Sequence, residues 1–579
     1  MPLDMKYPGV YRQEKDESLI PSVDNTTVVA TIGRAKKGIA NSIVLVNSED
    51  QLIKTFGTPI CSGSYPVVKD VDYGIYSAIE ALKETNNVYY VRATNGTEKY
   101  SSVSLPASAT TSAGTTSGIT AIASSAYPSD SSYTYGNTPS DIKELNAGLT
   151  GVIRFASVGP GVYGNDIAVT ITTSAVLSNS ALSANYTWGN SYGDSSKSGR
   201  AFRVDVYTKQ PSESFTSTMV PVETFYGTNS VMDLDNNGGS LYIEDVINGK
   251  SMYVYVKASG DDIVPPTTLS GNSFVKVSLA GGADATSTTY DPTGLWDFFN
   301  NKQNTPIDLA IVVPRTKDST VSSSEVQKID SVIGNRLDMF CVVQANALAS
   351  TSEQTIVSDN ATVQSSITNY SYFGKYVGWN LVFDRYNSSR VYLPNAIYAA
   401  AIIARTDRIS SPWEAPAGQE RGVIAAGKQS VILIPDVAGR LYENYNLNTV
   451  RFLNGIGNVI WGQKTAQLQK TARDRINVRR MLNYVENGSE RILNAFLFRG
   501  NTSRERERVY NLVNSFINTV YVAGGVSSYR VVCDNTNNTE TSIAQNILNV
   551  DIFIQPTYTI EFIKITTTIT ASSVNVGEG

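Results

Sequence analysis

Two hydrophobic periods alternate along the first hundred residues. A β-branched run from Thr26 to Ile32 reads as a buried strand, and Ile43–Val46 as another. Ile75, Ile79 and Leu82 then recur at helical spacing, Asn86-Asn87 ends that helix, and Val88–Arg92 is the next strand. The same alternation returns near Trp296. Ile307–Val313 reads as a strand, and Val326, Ile329, Val332 and Ile333 as a helix face stopped at Gly334. Met339–Val343 follows as a strand, and Pro394 starts a helix through Ala404. Strands alternating with helices predict an α/β layer.

Between these stretches the pattern changes. From Ser101 to Ser125, 13 of 25 residues are Ser or Thr, with little to bury, which reads as a linker or exposed loop. Beyond it come strand-like runs with hardly any helical periodicity: Val152–Phe155, Ile167–Thr172, Phe202–Tyr207, Met252–Lys257 and Phe274–Val277. The predicted organisation is therefore a discontinuous α/β core, residues 21–97 and 286–440, interrupted by a β-rich insertion over 98–285.

The C-terminal part, 441–570, reads as strand, basic helix, second helix and then two or three strands. The last places Tyr558, Ile560 and Phe562 on one face and Ile563, Ile565 and Ile569 on the other. Apolar on both faces, it suits an enclosed sheet. No hairpin returns after it, and soluble proteins rarely leave such an edge bare, so a partner chain is expected to cover it. Residues 1–20 are polar and irregular, and 571–579 small and polar; either end reads as a frayed terminus or as an arm.

Composition narrows the chemistry. The chain has 579 residues and no histidine, which excludes histidine-based catalysis and histidine metal sites. Three separated cysteines, Cys61, Cys341 and Cys533, fit reduced thiols and not a disulfide frame. A net charge of −5 argues against nucleic acid as a direct partner. No apolar run approaches membrane-spanning length, so no membrane insertion is expected, and synthesis in a cytoplasm is.

Few motifs carry chemistry. Gly422 to Gln429 is one residue short of a phosphate loop, because Gln429 stands where a hydroxyl should follow Lys428, and no strand leads into it. A nucleotide-binding enzyme is the alternative it would support. Asp233, Asp235, Asn237, Gly238 and Glu244 fit calcium-loop positions, but the flanking helices are missing and Leu241 stands where a polar ligand is usual. Aromatic residues around Tyr186, Trp188 and Tyr192 leave a glycan-binding role open. Lys464, Lys470, Arg473, Arg475, Arg479 and Arg480 surround a single acid, Asp474, and in isolation read as a solvated helix face. No cofactor, metal or catalytic residue is assigned.

Several stretches resemble one family. Trp461-Gly462, the INVRRMLNYVE of Ile476 to Glu486 and the CDNTNNT of Cys533 to Thr539 resemble the C-terminal domain of contractile tail sheath proteins. YPGVYRQE from Tyr7, the VVATIGRAKKG of Val28 to Gly38 and SPWEAPAGQERGVI from Ser411 to Ile424 are similar to the same family's other motifs. The resemblance implies an α+β multidomain structural protein with an outward-facing insertion. It implies a C-terminal domain whose small sheet is completed by strands from neighbouring subunits. On that reading Tyr7, Val10 and Tyr11 belong to a donated N-terminal arm, and residues 571–579 to a C-terminal one. Val531, Val532, Ile552, Ile554, Ile560, Phe562, Ile563, Ile565 and Ile569 would be the sheet they complete. The six basic residues would face the tail tube. The implied partners are further copies in six-fold rings, the tube, and baseplate and terminator proteins, in a virion tail that contracts without a cofactor.

Overall fold

The computed structural model describes residues 27–63, 65, 70–105, 153–178, 180, 183, 200–258, 269–270, 273–274, 276–285, 290–424 and 427–565. These fall into two compact units, one of 27–411 with 416–470 and the other of 412–415 with 471–565.

The larger unit is organised by a six-stranded sheet: β1 Val29–Gly33, β2 Ile43–Val46, β3 Val88–Arg92, β4 Leu309–Val312, β5 Phe340–Gln344 and β6 Phe373–Tyr376. Their spatial order is β6-β5-β4-β1-β3-β2. All neighbours run parallel except β2, which lies antiparallel to β3 on the edge. Parallel strands need covering on both faces, and these are buried along nearly their whole length. Trp296, Phe299, Ile329 and Ile333 join one core cluster with Ala30, Ile32 and Ala310.

Helix α1, Tyr73–Leu82, begins at Asp72, whose carboxylate accepts the Gly74 N–H at 2.9 Å. It lies close to β1 because Gly33 and Gly74 are both bare, and a Cβ on Gly74 would stand 2.4 Å from the Gly33 Cα. Helix α2, Ser323–Arg336, runs through Gly334 and does not stop there. Arg336 holds its end by donating to the carbonyls of Phe299 and Thr305, and Leu337 takes the left-handed turn that closes it. One glycine weakens a helix by only about 1 kcal/mol, which this buried anchor offsets. Helix α3, Glu353–Ser365, crosses from β5 to β6, and α4, Asn395–Ile409, packs on the sheet beside α1. The last runs a turn beyond the Ala404 expected from sequence, with Thr406 and Asp407 still buried.

Between β3 and β4 the chain forms two antiparallel sheets around one apolar cluster. One has the order Glu223–Gly227, Phe202–Thr208, Ile167–Thr173, Val277–Ser278, and the other Val254–Ala258, Ile153–Ser157, Ser102–Leu105. Arg92 at the end of β3 ties them to the α/β layer, donating to the carbonyls of Gly38 at 2.5 Å and Pro160 at 2.7 Å.

Residues 441–470, assigned from sequence to the C-terminal domain, pack in the larger unit. Long-range hydrogen bonds that no local pattern reveals hold them there. Helix α5, Pro435–Tyr445, gives its Tyr445 carbonyl to the buried Lys375 ammonium. The Asn448 and Ala466 amides donate to the carbonyls of Lys375 and Phe373.

The smaller unit packs helices α6, Ile476–Asn494, and α7, Ser503–Val522, against one face of an antiparallel pair, Val526–Val532 with Asp551–Pro556. Gly488 admits the Phe516 ring, which a Cβ there would meet at 2.1 Å. Among the described residues no helix is long and apolar enough to cross a membrane. All three cysteines are free thiols; Cys341 and Cys533 are buried and Cys61 is partly exposed.

Candidate assembly interface

The strand pair of the smaller unit is β10, Val526–Val532, and β11, Asp551–Pro556. β10 and β11 pair only with each other among the described residues, so each has an outer edge of unpaired backbone. Val531 and Val532 are buried, and Ile552 and Ile554 lie half-buried against the helices, while Phe553 between them is 58% exposed. Period-2 alternation therefore fixes which face is core.

The turn joining these strands is built by asparagines. The Asn537 amide donates to the carbonyls of Val532 and Asn549, and Asn538 to those of Asp534 and Asn549. Asn549 returns its N–H to Asn538 at 2.7 Å. The CDNTNNT motif is thus a staple that sets where β11 begins. Two hydrogen bonds from Thr536 hold the Asp534 carboxyl below the usual carboxylate range.

Beyond Pro556 the sequence predicts another strand, and here the structure differs. Residues 557–565 have no regular structure. Ile560, Phe562, Ile563 and Ile565 are 83%, 82%, 80% and 84% exposed, and Tyr558 is 65% exposed. Glu561 is held by Arg475 at 2.6 and 2.9 Å, and the Thr557 amide donates to the Gly525 carbonyl at 3.3 Å. Among the described residues this β-competent apolar run joins no ladder. Ile569 and the N-terminal Tyr7, Val10 and Tyr11 lie outside the described residues.

Residues 469–570 match the family model described as the phage tail sheath C-terminal domain. That stretch is similar to a tail sheath domain. The chain is also 29% identical to the tail sheath protein of Enterobacteria phage T4 over 359 residues, 58% of this chain and 52% of that one. It is 29% identical to the tail sheath protein of Vibrio phage KVP40 over 375 residues, 62% of this chain and 54% of that one. The matches thus span about half the length of these curated relatives. A sheath tail protein of Listeria innocua has a similar fold, with a TM-score of 0.50 and 13% identity over 88% of this chain and 89% of that one.

Only part of the basic cluster is the solvated face read from sequence. Arg479 is 2% exposed and donates to Asn483 at 2.7 Å and Glu486 at 2.8 Å. Arg480 is buried, and Arg475 is occupied by Asp474 and Glu561. Of the other three, Lys464 and Lys470 belong to the larger unit. Lys464 is buried and donates to the Tyr442 carbonyl. Lys470 and Arg473 are exposed. Charge counted along a sequence does not reveal the acceptors that folding brings to it.

The other candidates also separate. Asp233 is buried against Arg200 at 2.9 Å. Asp235 accepts the amides of Asn237 and Gly239, and Glu244 pairs with Lys257 at 2.9 Å. The carboxylates of the calcium-like loop are therefore committed to different partners. Val423–Ile424 and Lys428–Gln429 are short strands of two different sheets, and Gln429 is buried with its amide on Asn380. No strand–loop–helix cradle for phosphate forms from these strands.

Proposed function

We propose that this chain is the structural subunit of a contractile tail sheath, polymerising as stacked six-fold rings around a tail tube in a metastable extended state. Contraction would drive the tube through a host envelope. The observation that carries the reading is the run Tyr558–Ile565, apolar, exposed and placed directly after a two-stranded sheet with free edges. Its support is the tail sheath domain match over the same residues.

In this reading the C-terminal segment of one subunit and residues 1–20 of another add strands to the β10–β11 pair of a third. Each backbone hydrogen bond contributes about 0.5–1.5 kcal/mol net, so a dozen per subunit bind the lattice firmly. Donor and acceptor surfaces differ, which makes the contact heterologous and generates open helices. The β-rich insertion faces outward, and the protein acts mechanically and not as an enzyme. Its partners are further copies, the tube, the baseplate and the terminator, in a virion tail assembled in the host cytoplasm. The exposed Lys470 and Arg473 remain as tube contacts.

Electron microscopy of the protein expressed alone tests this. Cylinders are expected from the full chain, and none after deletion of residues 1–20 or 557–579. Compact monomers from the full chain at every concentration would overturn it.

A further inference from the structure

Within the larger unit, a three-stranded sheet packs beside α1 and α4. Its strands are β7 Trp379–Asp384, β8 Ser389–Pro394 and β9 Lys428–Gln429, in the order β8-β7-β9. Between sheet and helices lies a cleft of about 540 Å³ that no step of the assembly reading uses.

Register decides what the cleft presents. Arg390 stands opposite Phe383 and Lys428 opposite Leu381. Directly opposed residues share a face, as do Leu381 and Phe383 two apart, so all four line one side of the sheet. The two cations flank the two apolar side chains and sit on strands two spacings, roughly 9.6 Å, apart. Both are exposed, and neither has an ion-pair or hydrogen-bond partner among the described residues. Phe383 is 66% exposed.

The acids of the cleft are already occupied. Glu49 pairs with Arg385 at 2.5 Å, and Glu80 with Lys83 at 2.6 Å. Asp384 accepts the Tyr76 hydroxyl, the Tyr386 amide and the Asn387 side chain. One further donor is left over: Tyr398 lines the cleft, is only 6% exposed, and its hydroxyl has no hydrogen-bond partner. A buried hydroxyl without a partner is costly, and an acceptor entering the cleft would relieve that cost.

The unused groups are thus two cations and a hydroxyl around an apolar strip. We propose that this cleft docks an acidic peptide segment of a partner protein, with an apolar side chain lying on Leu381 and Phe383 between carboxylates that reach Arg390 and Lys428. A free phosphate would meet the cations and leave Phe383 uncovered. Exposed charges of this kind steer encounter and set specificity more than they add raw affinity.

The test uses dilute full-length protein and a fluorescein-labelled pentapeptide, Gly-Glu-Leu-Glu-Gly, followed by anisotropy. The reading is independent of polymerisation, since binding is measured on the dispersed subunit. Binding that weakens as salt rises is expected, with about a 10-fold loss in the Arg390→Ala/Lys428→Ala pair and about a 3-fold loss in Tyr398→Phe. The arginine and lysine are surface groups, so thermal stability should stay unchanged in the double variant, and removing the unpartnered hydroxyl should leave Tyr398→Phe at least as stable as wild type. Replacing the central leucine by glycine should also weaken binding. The proposal fails if no peptide binds, if the variants bind as well as wild type, or if inorganic phosphate or ATP displaces the peptide at equal concentration.

Discussion

Arg475 and Glu561 meet in a two-pronged ion pair, Nε to Oε1 at 2.6 Å and Nη2 to Oε2 at 2.9 Å. The arginine sits just before α6, and the glutamate is a fixed point among the largely exposed side chains of 557–565. Glu561→Gln should free residues 557–565 while leaving the helices and the β10–β11 pair folded. The cost is about 1 kcal/mol, because the pair is partly exposed and screened. Limited proteolysis should cut this segment several-fold faster in the variant; equal rates would show the pair to be idle.

The apolar run itself gives a sharper separation of folding from association. Ile560 and Phe562 are more than four-fifths exposed, so Ile560→Glu with Phe562→Glu should change unfolding free energy by no more than about 0.5 kcal/mol. The same change should abolish cylinders in electron micrographs. A large loss of thermal stability would mean that these side chains are buried within their own subunit.

How much of this was visible in the sequence depended on how local the cause was. Ile43–Val46 and Val88–Arg92 appear with the bounds their β-branched pattern predicts. The end of α2 was misread because Arg336 is anchored to carbonyls 37 and 31 residues away. Arg479 and Lys464 depart from the solvated face for the same reason, since they find acceptors only in the folded chain, whereas Lys470 and Arg473 are exposed. The apolar terminal run was recognisable as β-competent, but sequence could not tell a strand in place from one without a partner. Register brought Arg390, Phe383, Leu381 and Lys428 onto one face, which no spacing along the chain announced.

Gly488 and Phe516 give a packing test. A Cβ at 488 would overlap the ring at 2.1 Å from Cζ, and the ring also has an aromatic neighbour, Tyr484, with centroids 5.8 Å apart. Gly488→Ala should therefore destabilise the smaller unit by about 1–3 kcal/mol despite the better helix propensity of alanine. Calorimetry of the full chain should show a lowered transition for this unit.

Lys375 carries a pH signature. Burial lowers its pKa from 10.5 to about 7, and its ammonium rests on Asn360, Gln364 and the Tyr445 carbonyl with no carboxylate. Unfolded, the same amine binds its proton up to 10.5, so the unfolded state holds more protons between the two values. The resulting penalty is complete below about pH 7 and disappears above 10.5, so stability from this group rises with pH across that window. The slope approaches about 1.4 kcal/mol per pH unit at most. Denaturant titrations at pH 7 and pH 9 should show this rise in the wild type and a flatter response in Lys375→Met. That variant should also lose about 1–3 kcal/mol at pH 9, from the acceptors left unsatisfied.

Two of the three thiols are shut away, and burial pushes the Cys341 thiol well above its ordinary range. The reactive thiolate is therefore suppressed there, and at Cys61, partly exposed, burial raises the pKa as well, so this thiol too is held mostly in its unreactive protonated form. A lattice made of such subunits could pass from a reducing cell into air-saturated water without its members becoming covalently welded. Whatever sliding the assembled state permits would remain permitted as the particle ages.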